Sequence, residues 1–253
     1  MTASVERRGS RARVLRGGIL LGFAALVAKL FAAGQMSRYM APALDPLTAL
    51  TGVALGVMGA MEIAGSRRRE RGHGHSSEPF EQLLTYVLVL LPLGLGLVLI
   101  PRALGPGALG GESVARLLLA YAPDPTPSQR ARPPAPSRAV ADTADLLRLL
   151  REAGMAGAGQ RVRATGLAVR AGGLGADEFA LLRYAIAHCV ADARPLALLV
   201  SAPDTREVTW DRWVEVEGVL AVSERDGTSL VTIAADRVRP VPEPAEPYLG
   251  SAF

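Results

Sequence analysis

The single cysteine of this 253-residue chain, Cys189, directly follows a histidine and stands three positions before an aspartate, in the run Ile186-Ala-His188-Cys189-Val-Ala-Asp192. A thiolate, an imidazole and a carboxylate together form a donor set that suits Zn²⁺-like ions. If the run is one regular strand, His188 and Cys189 point to opposite faces, and one ion reaches both only across a bulge. Cys189 with Asp192, beyond the end of the strand, is the easier pair. The same residues also have a structural account. In it Cys189 is a small buried apolar side chain, Asp192 a turn former, and the nearby Arg183 a solvated strand residue. A lone cysteine excludes an internal disulfide on either account.

The other two histidines, His73 and His75, make a His-x-His in a stretch of Gly, Ser and Arg. Two imidazoles hold a divalent metal such as zinc only weakly, since a structural zinc site takes four ligands, and a solvated loop is the plainer account. The sequence carries no Gly-rich phosphate loop, no HExxH, and no Ser or Cys motif with a base at a recognised spacing. The expectation is that the chain is not an enzyme.

Three apolar runs, 17–37, 46–65 and 83–101, come before these residues or flank them. Each is near the ~20 residues that cross a ~30 Å hydrocarbon core as a helix, which satisfies its own backbone polar groups. Pro92 in the third run predicts a kink. Arg7, Arg8, Arg11, Arg13 and Arg16 precede the first run, and Arg67, Arg68, Arg69 and Arg71 follow the second. The connection 38–45 carries one charge of each sign. The positive-inside rule therefore places the N-terminus and the 66–82 loop in the cytoplasm and the chain after Pro101 outside. A cleaved signal peptide is the rival reading of the first run, but its apolar core is longer than the usual 7–15 residues. Two ionisable side chains, Lys29 and Glu62, fall inside the runs. At ~1.5 Å per residue they lie roughly 12 Å and 24 Å from the outer end, too different in depth to pair. Glu62 reaches water or the following arginines. Lys29 either snorkels outward or serves a function in the membrane.

Residues 1–139 carry 16 basic and 8 acidic side chains, and residues 140–253 carry 12 and 16. A nucleic-acid reader carries its basic footprint on the folded domain. Here the later part is acidic and the arginines flank apolar runs, so nucleic acid is not an expected partner and the lipid bilayer is. Residues 121–138 contain six prolines and no apolar periodicity, the mark of a stiff, solvated linker. A helix follows, capped by Asp142 or Thr143, striped by Leu146, Leu147, Leu149 and Leu150 and ended by Gly154. Five strand-like runs come next: 161–170, 179–190, 194–202, 213–222 and 229–241. In the fourth, Val214 and Val216 alternate with Glu215 and Glu217. The expected architecture is a membrane domain of three transmembrane helices over 1–120, a linker over 121–138, and an extracytoplasmic, mainly-β domain over 139–253. That domain reads as a small OB-like barrel with one helix, able to fold alone from about residue 140. Trp210 and Trp213 fit core or rim packing better than a ligand platform.

Phe179 to Ala193 with its Arg183…Cys189-x-Ala191-Asp192 core, then Pro195, Val216-Glu217-Gly218 after a tryptophan, and Pro247-Tyr248-Leu249 together resemble the signature of a bacterial membrane family. This is the YcgQ-type family, the small subunit of two-component permeases. The apolar helices fit it too, with Tyr39 and Pro42 in the first outer loop. The resemblance implies an accessory subunit that works with a larger multi-helix permease encoded nearby, with divalent or transition metal ions as the cargo. Three helices are few for a transporter built on internal repeats, which agrees with an accessory role. Arg183, His188, Cys189, Asp192, Tyr39 and Lys29 are then the candidate partner or ligand residues. Family members commonly carry two adjacent cysteines where this chain has His188-Cys189. That exchange keeps a soft-metal ligand and loses any disulfide, which favours metal ligation over redox. Two further readings are a membrane-anchored extracytoplasmic metal-binding or sensing module, and an envelope protein whose barrel binds protein.

Overall fold

The apolar runs fold as three helices: α1, Thr2–Ala32; α2, Asp45–Gly65; and α3, Pro79–Val98. The computed structural model describes residues 2–65, 79–99, 101–109, 114–120, 158–206, 208–225 and 227–250. His73, His75, the linker 121–138 and the expected helix over 142–154 lie outside the described residues. The chain divides into two units, Met1–Arg102 and Ala103–Phe253.

In the first unit, Arg13–Ala32 and Pro42–Gly65 are long and apolar enough to cross a membrane, and the apolar stretch of α3, Tyr86–Val98, is shorter. α1 starts well before the expected residue 17, so the arginine-rich segment continues the helix. α3 runs through Pro92 and ends at Val98 rather than 101. Small residues set the packing. A Cβ on Gly17 would come within 2.8 Å of the Gly59 carbonyl, and one on Gly59 within 2.9 Å of the Gly17 carbonyl. Gly52 makes room for the Val27 side chain, so α1 and α2 run antiparallel, with their backbones closest at Gly17 and Gly59. Gly22 against Leu93 and Leu26 against Gly96 place α3 parallel to α1. A Gly59→Val substitution should separate α1 from α2 and cost about 1–3 kcal/mol by overpacking. Thermal unfolding of the detergent-solubilised chain reads that loss, and an unchanged midpoint would mean the helices do not rely on this approach.

Two basic side chains of α1 sit on the ends of its neighbours. Arg13 Nη1 donates to the Gly65 carbonyl at the end of α2 (3.2 Å). Lys29 Nζ donates to the Gly96 and Leu97 carbonyls in the last turn of α3 (3.1 and 2.6 Å). The last carbonyls of a helix lack intrahelical donors, and the helix dipole favours cations there. Pro101 has no N–H to give Leu97, so Lys29 supplies what the sequence withholds. Between α1 and α2 lie two 3₁₀ turns, Met36–Arg38 and Pro42–Leu44.

The second unit begins earlier than the expected boundary at 120–139. The short helix α4, Val114–Ala120, buries Val114, Leu117 and Leu118 at i, i+3 and i+4 and packs on the sheet. It belongs to this unit and not to the first. The sheet has six strands: β1, Arg161–Val169; β2, Glu178–Ile186; β3, Arg194–Ser201; β4, Trp213–Arg225; β5, Thr228–Pro240; and β6, Tyr248–Gly250. Their order is β1-β4-β5-β3-β2-β6, and β1 pairs with β2 as well. β3–β5 and β2–β6 are parallel and the other pairs antiparallel. All five expected strands are present, and β6 is an addition. Alternation in β4 buries Val214 and Val216, which join Val162, Phe179, Leu198, Val200 and Ile233 in one core. The opposite face carries cross-strand ion pairs, Glu215 with Arg239 (2.6 Å) and Glu217 with Arg163 (2.7 Å).

Candidate functional site

β2 ends at Ile186, so His188 and Cys189 lie beyond the strand and not on it, contrary to the reading of 179–190 as one strand. The connection to β3 runs through a 3₁₀ turn, Val190–Asp192. Asp192 organises it. Its Oδ1 accepts from the Ala187 N–H (2.8 Å), and its Oδ2 accepts from the N–H groups of His188 (2.9 Å) and Cys189 (3.3 Å). The same Oδ2 lies 3.2 Å from His188 Nδ1. A short carboxylate thus accepts from three successive amides just past the strand, which is why an aspartate suits this turn. His188 is exposed and Cys189 half-buried. Among the described residues no group of three or more His, Cys, Asp or Glu side chains is placed to hold a metal ion.

Burial pushes the Asp192 carboxyl up, but the three amides and His188 outweigh it and hold the group below its ordinary range. Glu178 is lowered too, chiefly by hydrogen bonds from Arg225 Nη2 at 2.6 and 2.8 Å. A carboxyl whose folded pKa is depressed gives stability that is complete above its unfolded pKa and is lost as pH falls through the folded value. The melting temperature of the chain should therefore fall on acidification below about pH 4, near the unperturbed carboxylate values. Asp192→Asn should lower it at neutral pH and flatten that acid response. Melting curves of both proteins across pH check this, and parallel profiles would remove Asp192 from the acid response.

Arg183 marks a second constellation. β3 occupies one edge of β2 over Glu178–Ala185. On the other edge β1 pairs only with Ala180, Leu181 and Leu182, and β6 takes over at Tyr184, Ala185 and Ile186. Arg183 sits at that change of partner. Its Nε donates to the Pro247 carbonyl (3.2 Å), Nη2 to the Glu246 carbonyl (2.7 Å) and Nη1 to the Thr165 carbonyl of β1 (3.3 Å). Its guanidinium lies 5.7 Å from the centre of the Trp213 ring. A planar fork with five donors serves three carbonyls on two segments, which a lysine cannot reproduce. Arg183 is therefore not a solvated strand residue.

Next to it, Tyr184 and Tyr248 pair across β2 and β6. The Tyr184 hydroxyl donates to the Gly105 carbonyl (3.0 Å), and the Tyr248 hydroxyl accepts from the Leu104 N–H (3.0 Å). Burial, with Tyr248 adding to it, raises the Tyr184 phenol above its ordinary value, so it stays a donor at neutral pH. Three separate segments, 104–105, 183–184 and 246–248, thus meet at one place. The sequence singled out Arg183 and Pro247-Tyr248-Leu249, but it gave no sign that they touch. Tyr184 and Leu104–Gly105 were missed, since a hydrogen bond to backbone leaves no residue-type signature. Within the first unit, Lys29 bonds α3, and Tyr39 closes the turn after α1 through its N–H to the Met36 carbonyl (2.9 Å). Trp210 packs edge-on to Phe179 at 6.2 Å, in keeping with core packing.

Residues 15–109 match the DUF1980 N-terminal domain and residues 144–249 match the DUF1980 C-terminal domain. The chain belongs to the YcgQ-type family. One similar protein is the UPF0703 protein YcgQ of Bacillus subtilis, 24% identical over 97 residues, which are 38% of this chain and 34% of that protein. The alignment thus spans about a third of that relative's length. The N-terminal family match extends to 109 and the C-terminal one to 249, so the segments pinned by Tyr184 and Tyr248 lie inside the YcgQ-type matches.

Proposed function

We propose that the chain is the accessory subunit of a membrane permease, with three membrane crossings, its N-terminus in the cytoplasm and its second unit outside. One observation carries this reading. Leu47, Leu50, Val53, Val57 and Met61 form an uncovered stripe along α2, each at least 54% exposed. Leu88, Leu91, Leu95 and Val98 form another along α3, each at least 49% exposed. Apolar faces of this extent need lipid or other helices against them. The alternating directions of α1, α2 and α3 support three crossings, and the arginine clusters before α1 and after α2 support the orientation. The pairing ring β1-β2-β3-β5-β4-β1 supports reading the second unit as a small OB-like barrel. A metal cargo would be held mainly by the larger partner, since among the described residues no three His, Cys, Asp or Glu side chains are grouped to hold an ion.

Co-purification with the multi-helix permease encoded beside it tests the role, and recovery of the chain alone from mild detergent would count against it. The topology has its own test. A reporter fused after Phe253 should be active outside and one near His75 inside, and cytoplasmic activity of the first would overturn the three crossings.

A further inference from the structure

The place where Arg183, Tyr184 and the β2 edge meet the segment 246–249 has the features of a peptide-binding site occupied by the chain's own residues. The recognition is mostly directed at main chain. Arg183 reads the carbonyls of Glu246 and Pro247, and Tyr184, Ala185 and Ile186 pair with Tyr248, Leu249 and Gly250. Side chains at the same positions supply the apolar anchors: Pro247 is among the most deeply buried residues, and Tyr248 and Leu249 are each 7% exposed. This is strand addition, in which backbone bonds give affinity and buried side chains give selectivity.

The way the segment is connected is equally telling. Val241 still donates to the Trp213 carbonyl (3.0 Å), and regular structure then stops until Tyr248. Pro242, Pro244 and Pro247 fall in this stretch, where they cannot donate to a ladder and keep the chain extended. The closing strand is thus three residues on a stiff strap, held by its site rather than by the strand before it.

We propose that this edge is a strand-docking site and that two copies of the chain exchange residues 242–250 through it. The contacts made by a second copy's segment would be the same as those made in cis, so local concentration and the reach of the strap decide between the two arrangements. In the exchanged form each Arg183 holds the partner copy's Glu246 and Pro247 carbonyls, and each site is incomplete without the other chain. This goes beyond the permease reading and does not depend on it.

The test uses the detergent-solubilised chain. A version ending at Pro240 is titrated with a fluorescent peptide of residues 241–250. Saturable binding is expected, weakened about tenfold by Arg183→Lys, which keeps the charge and loses the fork. A folded shortened chain that does not bind the peptide overturns the proposal. Two differently tagged full-length copies are also mixed at rising concentration. Recovery of both tags in one complex, abolished by Tyr248→Ala in both copies, supports exchange even where the shortened chain fails to fold. Chains that stay monomeric at every concentration, or a complex that survives Tyr248→Ala, overturn it.

Discussion

A fragment that starts at Ala103 should unfold in one cooperative transition, whereas one that starts at residue 140 should not hold a fixed fold. The later start was the natural choice from the sequence, because the proline-rich stretch reads as a domain boundary. It removes α4, whose Val114, Leu117 and Leu118 are at most 8% exposed. Burying each such side chain is worth about 1.5–3 kcal/mol. The later start also removes Leu104 and Gly105, leaving the half-buried hydroxyls of Tyr184 and Tyr248 without these partners, at roughly 1 kcal/mol or more each. Together the loss is on the order of 5 kcal/mol or more, comparable to the whole 5–15 kcal/mol stability of an ordinary domain. Circular dichroism melts of the two fragments decide the matter. Equal midpoints would show that α4 and the tyrosine contacts contribute nothing to this unit.

What was legible in the sequence is what depends on periodicity. The alternation of Val214 and Val216 with Glu215 and Glu217 located β4, and long apolar runs located α1 to α3, since burial pattern and hydropathy are local properties. His188 and Cys189 were misplaced because Phe179 to Val190 is apolar throughout, and nothing in that run says where pairing stops. Past Ile186 the next three amides donate to the Asp192 carboxylate, a partner that the apolar run does not announce. The Arg183 clamp was invisible for another reason. Its acceptors lie 18, 63 and 64 residues away and are backbone carbonyls, which every residue possesses. Lys29 was half legible. Its depth in the run was readable, and so was the missing N–H of Pro101, but only the packing of α1 beside α3 joins them. β6 is too short and too proline-flanked to carry a strand pattern at all.

Gly218→Ala should cost the second unit at least about 3 kcal/mol, and Gly218→Val more. The register between β4 and β5 shifts at Glu217/Gly218: Glu217 faces Arg237 and Gly218 faces Ala235, so Asp236 is an extra residue in β5. Such a bulge increases local twist, which β4 needs as it runs between β1 and β5. It also brings the two backbones together. A Cβ at Gly218 would overlap the Ala234 carbonyl oxygen and lie 2.8 Å from Ala235 Cα. Neither atom is the end of a flexible side chain, so β5 itself must move, and it carries Ile233 into the core beside Val214 and Val216. The reason for glycine here is contact distance and not backbone conformation, since its φ is not among the positive ones. The control is Gly172→Ala, where an added Cβ meets nothing within 4 Å. For a unit of this size 3 kcal/mol lowers the melting temperature by about 6–12 °C, and the control should stay within a degree or two. If both substitutions shift the midpoint equally, the close approach at the bulge is not what this glycine provides.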